Sequence, residues 1–389
     1  MSAQIVVVGG GVIGLSVAYA LARRGRGPRV LLLERGQTGQ ASSWAGAGMI
    51  APVAPDALTS GATPREGLAM LRALSSCLYE TWARDLRDET GIDPEYRRQG
   101  GVDLAFNTKE ADELQAMSGR WKREGIVFER LAQADYHRVE PRLNDQVQAV
   151  YFLPDRAQIR NPRLLRALRI ACQQRGVTIE TGCEVANVVE QGGRVRGVRL
   201  EDGTERPGEI VVLAAGAWTG GLLERLGRAI PTRPVKGQLA LLAGPPGWLR
   251  RIVEHGSYYL VPRADGRILA GATIEPDAGF DSSPTEEGVR EVLEEAFLMC
   301  PGLRAFPVER TWAGLRPGSP DSRPLIGPLP GIQGLIVAAG HKRAGLQQAP
   351  GTGEVVADLI EGVEPRVPLE WCRPDRDPVP DEEVPSVRS

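Results

Sequence analysis

The chain opens with four apolar residues, Ile5-Val6-Val7-Val8, that break into Gly9-Gly10-Gly11-Val12-Ile13-Gly14 and then into an apolar stretch from Leu15 to Arg24. A short β-branched run of this kind predicts a parallel strand buried on both faces. The stretch after it predicts a helix, so Gly9-x-Gly11-x-x-Gly14 falls on a strand–turn–helix. The glycines then differ in what they permit. Gly9 allows the tight turn, Gly11 lets backbone approach a pyrophosphate, and Gly14 lets helix pack closely on strand. The helix start points unpaired N–H groups and the positive end of its dipole at the phosphates. A second apolar run, Val30 to Leu33, ends in Glu34, twenty residues past Gly14. An acceptor for a ribose 2′-hydroxyl belongs there. Strand, glycines, helix and acid agree on a dinucleotide site.

Other classes are set aside by composition. At 389 residues the chain can hold two domains with sizeable cores. Its 47 basic and 49 acidic residues are well mixed, for a net charge of −2, so neither nucleic acid nor an anionic membrane is expected as a partner. The longest apolar run, around Ile210 to Trp218, is too short to span a bilayer, and no leader-like segment precedes the first strand. Five cysteines (Cys77, Cys172, Cys183, Cys300, Cys372) are scattered and never spaced CxxC. That fits a reducing cytoplasm and argues against structural zinc or an iron–sulfur cluster.

Further along, Ser43-Trp44-Ala45-Gly46-Ala47-Gly48-Met49 offers small residues that let backbone lie against a flat ligand. Thr63-Pro64 starts a long helical pattern that stops at Gly91. Arg97 to Phe106 reads as a strand and Thr108 to Glu124 as an amphipathic helix. Asn161-Pro162 reads as an N-cap followed by proline at the first helical position, with Gly176 ending that helix. Strands follow to Glu209–Leu213, which runs into Ala214-Ala215-Gly216, again a strand leading to a glycine. Pro231 to Thr273 is β-rich, and Thr285 caps a helix from Glu286. Trp312 to Gly327 is rich in glycine and proline. Leu335 to Ala339 is the last strand, followed by a helix from about Gly351 to Glu361. From Arg373 on, proline and charge without apolar period predict disorder. There is no second GxGxxG after a strand, which favours a flavin reduced directly by an organic substrate over electron transfer from a nicotinamide on the same chain.

Four further segments carry a resemblance: Pro234-Val235-Lys236-Gly237-Gln238, Tyr259-Leu260-Val261-Pro262-Arg263, Trp312-Ala313-Gly314-Leu315-Arg316-Pro317-Gly318, and Ala339-Gly340-His341-x-Arg343-x-Gly345. Together with the first fifty residues they make the chain resemble the D-amino-acid oxidase superfamily of FAD-dependent oxidoreductases. Within it, the chain is most similar to the bacterial glycine oxidases of thiamine biosynthesis, from residue 5 to about 362. The resemblance implies an α/β fold: a discontinuous Rossmann-like FAD-binding domain from residues 1–86, 158–224 and 308–372, and a mostly antiparallel β-sheet substrate domain with helices from 87–157 and 225–307. The tail would be 373–389.

It also implies roles. Val12 and Ile13 would offer N–H groups to the pyrophosphate, Glu34 would hold the adenosine ribose with Arg35 beside it, and Ser42 and Ser43 would touch phosphate or ribityl. Ala47, Gly48 and Met49 would line the isoalloxazine, Val185 would meet the adenine, and Gly216 belongs with the cofactor positions. His341, Lys342, Arg343, Ala344, Gly345, Leu346 and Gln347 would pass along the flavin's pyrimidine side. Arg316 and Arg343 would stand near a substrate carboxylate, with Tyr259 donating to it. Relatives read His-aromatic-Arg-Asn-Gly where this chain has His341-Lys342-Arg343-Ala344-Gly345. The cysteine that tethers FAD in some relatives has its nearest counterpart in Cys300, sixteen residues before Arg316, so FAD is expected to be noncovalent.

The implied activity is oxidation of glycine or another small amine, with hydride passing from Cα to flavin N5. The imine would hydrolyse to an α-keto acid and ammonia, and oxygen would be reduced to hydrogen peroxide. Alternatives are a D-amino-acid or 2-hydroxy-acid dehydrogenase of the same fold using a quinone or protein acceptor, and a non-catalytic FAD-binding subunit. A homo-oligomer is compatible with the pattern.

Overall fold

The computed structural model describes residues 4–54, 57–58, 64–228, 230 and 232–378. Ile5–Val8 is the centre of a six-stranded sheet, buried on both faces, as an uninterrupted β-branched run requires. It pairs in parallel with Val30–Glu34 on one side and Ile210–Leu213 on the other, and Thr178–Thr181 and Leu335–Ala339 extend the parallel ladder. Leu325–Pro328 closes the edge antiparallel. Alternate side chains feed two cores. Ile5 and Val7 pack under the helices Val12–Arg23, Asn161–Gln174 and Gly345–Glu361. Val6 and Val8 pack against a three-stranded antiparallel sheet that includes Val185–Gln191 and Arg194–Leu200.

A second sheet has eight strands, in the order Val308–Gly318, Arg233–Ala243, Arg267–Gly271, Tyr258–Pro262, Ile252–His255, Gly101–Ala105, Ala149–Leu153, Glu129–Arg130. Its pairings are antiparallel except that of Ile252–His255 with Gly101–Ala105. The helix Glu286–Met299 covers one face, its first turn capped by Thr285, whose hydroxyl accepts from the Gly288 N–H as expected. Among the described residues no helix is long and apolar enough to cross a membrane.

Four expectations need correcting. The glycine- and proline-rich stretch after Trp312 lies partly in the edge strand Val308–Gly318, paired residue by residue with Arg233–Ala243. An edge strand tolerates Pro317, whose missing N–H faces away from the ladder. The boundary expected at 308 therefore cuts into the large sheet, and strands of the six-stranded sheet resume at Leu325. Asn161 is the first helical residue rather than the cap, and its side chain reaches elsewhere. The last helix begins at Gly345, not Gly351, with Pro350 inside it. Proline lacks the N–H that would bond the Leu346 carbonyl. The Tyr79 hydroxyl donates to that carbonyl instead, and Ser75 Oγ accepts from the Gly351 N–H at 3.0 Å. Lastly, the segment after Arg373 is ordered at its start: Arg376 grips the buried Asp321 at 2.8 Å. Residues 379–389 of the expected tail, and Thr63, lie outside the described residues.

One ionic clamp ties three elements of the large sheet's region together. His255 Nδ1 lies 2.9 Å from Glu295 and its Nε2 3.1 Å from Glu110. A neutral imidazole has a single N–H, so satisfying two carboxylates requires the imidazolium. Burial opposes that charge, but the bonds to Glu295 and Glu110 outweigh it and hold His255 above the ordinary histidine range. The clamp's contribution is complete below about pH 6.5, the unfolded-state value, and is lost as pH rises through the raised folded-state value. His255→Gln should cost about 1–2 kcal/mol at mildly acidic pH. In urea titrations the difference should shrink toward zero at alkaline pH, and a pH-independent difference would show that the ring is neutral.

Candidate active site

The cleft opens where the parallel sheet's carboxyl ends meet the large sheet's face, and it encloses about 1810 Å³ including its open mouth. Its floor is made of close backbone contacts. Gly9 has φ +108, and a Cβ there would lie 2.4 Å from the Ala214 carbonyl oxygen. A Cβ on Gly14 would lie 1.9 Å from the Gly9 carbonyl oxygen, so Gly14 packs helix on strand and does not itself line the cleft. Gly11 faces the opening, and a Cβ there would meet only Ser43 Oγ, at 3.2 Å. Val12 and Ile13 start the helix at the same place, and the Val12 N–H donates to Ser43 Oγ at 2.9 Å. Ser42 donates to the Leu315 carbonyl.

At one end, Glu34 accepts from the Gly10 N–H (2.7 Å) and the Gly36 N–H (2.9 Å). Arg35 lies over the Trp218 ring, 3.8 Å from its centroid, with Val185 and Gly216 on the same wall. In the sequence Trp218 marks only the end of an apolar run, and its partnership with Arg35 crosses elements.

At the middle, Ala47, Gly48 and Met49 line the wall. Asn161, buried, donates to the carbonyls of Ser43 (2.8 Å) and Trp44 (2.6 Å), and Trp312 Nε1 donates to the Ala45 carbonyl (3.0 Å). These supports had no local signal; an asparagine before proline reads as a cap.

At the other end, Tyr259, Arg316 and Arg343 converge with Leu239, Gly237 and Gly314. Strand alternation separates the two tyrosines as expected: Tyr259 faces the cleft, while Tyr258 donates to Glu291 on the covering helix. Arg316 Nη1 donates to the carbonyls of Thr273 (3.0 Å) and Lys236 (3.3 Å), and Tyr259 lines the same end of the cleft. Its guanidinium lies over Gly237, where a Cβ would come within 2.3 Å. Arg343 Nη2 donates to the Ser257 carbonyl at 3.3 Å. Neither guanidinium has an ion-pair partner among the described residues. Burial, helped by the Arg343 charge, pushes Arg316 below the usual arginine range, and burial pushes the Tyr259 phenol up. The site has charge to offer an anion and a phenol that stays protonated.

The following loop is split in function. His341 is buried, contacts Thr352 Oγ1 at 3.1 Å and is pushed down to about 3 by burial, so it is neutral. Lys342 turns its ammonium to Ser322 Oγ. Gly345 and Leu346 line the cleft, whereas Ala344 precedes the helix and Gln347 donates to the Ala51 carbonyl at 3.0 Å, away from the opening.

A family model described as FAD dependent oxidoreductase matches residues 4–359. The chain is similar to a glycine oxidase of Pseudomonas aeruginosa, 39% identical over 94% of this chain and 96% of the relative. A glycine oxidase of Pseudomonas putida is 37% identical over the same shares. Among solved structures, glycine oxidase from Geobacillus kaustophilus superposes with a TM-score of 0.87 at 32% identity, covering 96% of this chain and 98% of that one.

Gly48 tests the cleft directly. Its φ is +70, and a Cβ there would lie 2.0 Å from the Ile159 carbonyl oxygen. Gly48→Ala should therefore displace the wall and leave purified protein with well under half the wild-type flavin per chain, read by absorbance against protein. Full flavin content in a folded variant would mean that this wall does not touch the ligand.

Proposed function

The chain belongs to the family of FAD-dependent oxidoreductases and is an FAD-dependent amino-acid oxidase; from that premise we propose that glycine or a similarly small amino acid is its substrate, held by its carboxylate at Arg316. The residues present suit FAD. The Gly11 opening and the helix start at Val12 would take the pyrophosphate, Glu34 the ribose, Arg35 and Trp218 the adenine end, and Ala47 to Met49 the ring. Attachment is noncovalent in this reading, because Cys300 is packed in the core under the large sheet, away from the cleft.

The observation that carries the reading is the convergence of Arg316 and Tyr259, from strands of one sheet, at the end of the cleft beyond the ring-lining wall, without a carboxylate to neutralise them. A guanidinium fork binds a carboxylate bidentately and fixes its direction. Tyr259, protonated, donates a further bond to the same group, and Arg343 adds a second positive charge beside it. Two points of attachment orient the Cα–H, and orientation supplies much of what such a transfer needs. The acids lining the cleft, Glu34, Glu184 and Glu201, belong to the Arg35 end. His341 is neutral and engaged with Thr352. No general base therefore stands at the substrate end among the lining residues, and the amine reacts in its neutral form. FAD bound there supplies a two-electron acceptor for the Cα–H, so that the product is an imine, which water converts to glyoxylate and ammonia, with oxygen taking the electrons as hydrogen peroxide. Leu239 and Met49 give the cleft an apolar wall there that keeps water from the reacting carbon.

Glycine, sarcosine or D-alanine added without oxygen should bleach the flavin of the purified protein, and admission of oxygen should yield one peroxide per turnover. Bleaching with slow peroxide formation but rapid dye reduction would point to a dehydrogenase, and no bleaching by any small amine would sink the assignment. Arg316→Lys keeps the charge but loses the fork. Loss of a charge-assisted bond of about 1.5–3 kcal/mol should raise KM about tenfold to a hundredfold. An unchanged KM would remove Arg316 from the substrate.

A further inference from the structure

The wall at Ala47 to Met49 is supported from behind by a cation with no ion-pair partner among the described residues. Arg263, buried, follows the strand that carries Tyr259 and does not line the cleft. Its Nη2 donates to the Ala47 carbonyl at 2.7 Å. Its Nη1 donates to Gln158 Oε1 at 2.6 Å and to the Ile159 carbonyl at 3.4 Å. Gln158 is itself fixed, donating from Nε2 to the Pro262 carbonyl at 2.7 Å. Burial lowers the Arg263 guanidinium to about 10, which leaves it charged at neutral pH.

What this does to the wall follows from the planarity of the peptide group. A trans peptide sends its C=O and its N–H in opposite directions. The Ala47 carbonyl points back to Arg263, so the Gly48 N–H points away from it. The Gly48 carbonyl accepts from the Ile159 N–H at 2.7 Å, so the Met49 N–H also points away from the support. Gln158 faces Met49 across a two-residue ladder, but it exchanges both its backbone bonds with Arg97 at 2.9 Å and leaves the Met49 N–H without a ladder partner. The Gly48 N–H likewise has no acceptor among the described residues. Gly48 has φ +70 and stands between the two N–H groups, the conformation in which successive N–H groups make an anion-binding concavity. All three residues line the cleft.

We propose that Arg263 is a positioning residue for the redox ring: by fixing and polarising the Ala47 peptide, it aims the Gly48 and Met49 N–H groups at the ring edge that gains negative charge on reduction. The proposal rests on FAD lying against this wall. A full positive charge on the carbonyl side of the peptide also strengthens its N–H as a donor, as bonds in series do at low dielectric. Arg263 thus favours reduced over oxidised flavin without touching it.

The test uses holoenzyme reduced chemically with dithionite beside a reference dye, so no substrate is involved. In Arg263→Met the midpoint potential should fall by about 30 mV, the equivalent of a tenfold loss of relative affinity for the reduced form in a two-electron couple. The KM for glycine should change less than twofold. Arg263→Lys keeps the charge but reaches fewer acceptors, so it should recover part of the potential; it serves as the test if the methionine variant does not fold. A folded, flavin-loaded variant with the wild-type potential would overturn the proposal. Wild-type protein whose flavin accepts electrons from dithionite but from no small amine would overturn the substrate reading and leave this one standing.

Discussion

Peptide groups in this cleft lie closer to one another than a Cβ would permit, and the site depends on that. Gly14 rests on the Gly9 carbonyl, Gly9 on Ala214, Gly48 on the Ile159 carbonyl and Gly237 under the Arg316 guanidinium. Each contact leaves no room for a side chain, so the polar groups offered to a flat ligand include peptide N–H donors such as those of Gly48 and Met49. Such donors are fixed by the fold and lose no side-chain entropy when a ligand arrives. Glycine in these positions weakens the chain elsewhere, because it loses more freedom on folding than other residues. The cores on both faces of the six-stranded sheet offset that loss.

The scaffold was legible wherever a local pattern decided the structure. Four buried residues in a row made Ile5–Val8 a central parallel strand, and the same signal marked Leu335–Ala339. Thr285 capped its helix because the cap forms within one turn. Alternation told Tyr259 from Tyr258. Misreadings arose where partners remote in sequence override local preference. Pro350 reads as a helix breaker, and Tyr79 with Ser75, some 270 residues earlier, repairs the helix around it. The glycine- and proline-rich stretch from Trp312 carries no strand signal, but Gly314 and Pro317 lie opposite Gly237 and Pro234, residues that could not be known to be neighbours from the sequence.

In the site, the same division holds. The positions that line the cleft could be named from spacing and resemblance, because GxGxxG and the arginine segments are contiguous. The residues behind them could not. Asn161, Trp312 and Arg263 act on carbonyls of residues 43–47 from three different elements, and each looks ordinary where it stands in the chain: a cap, a core aromatic, a charged residue after a strand.

The end of the cleft lined by Tyr259, Arg316 and Arg343 shows how two unneutralised arginines are kept in place. A guanidinium taken from water without a carboxylate is costly, and it stays only if other acceptors replace the lost solvent. Arg316 has the carbonyls of Thr273 and Lys236, and Arg343 has that of Ser257, next to the strand bearing Tyr259. Their segments are also tied to each other: the Lys342 N–H donates to the Pro317 carbonyl at 2.8 Å, one residue from each arginine. That bond accompanies a left-handed conformation at Lys342 (φ +47), which a non-glycine residue adopts at a cost of about 1–2 kcal/mol. In this loop the lysine points its ammonium to Ser322, so the departure from the family's aromatic residue leaves the spacing of Arg343, Arg316 and Tyr259 to the backbone. A carboxylate bound as proposed would meet charge already placed, and its binding would relieve the repulsion between the two cations.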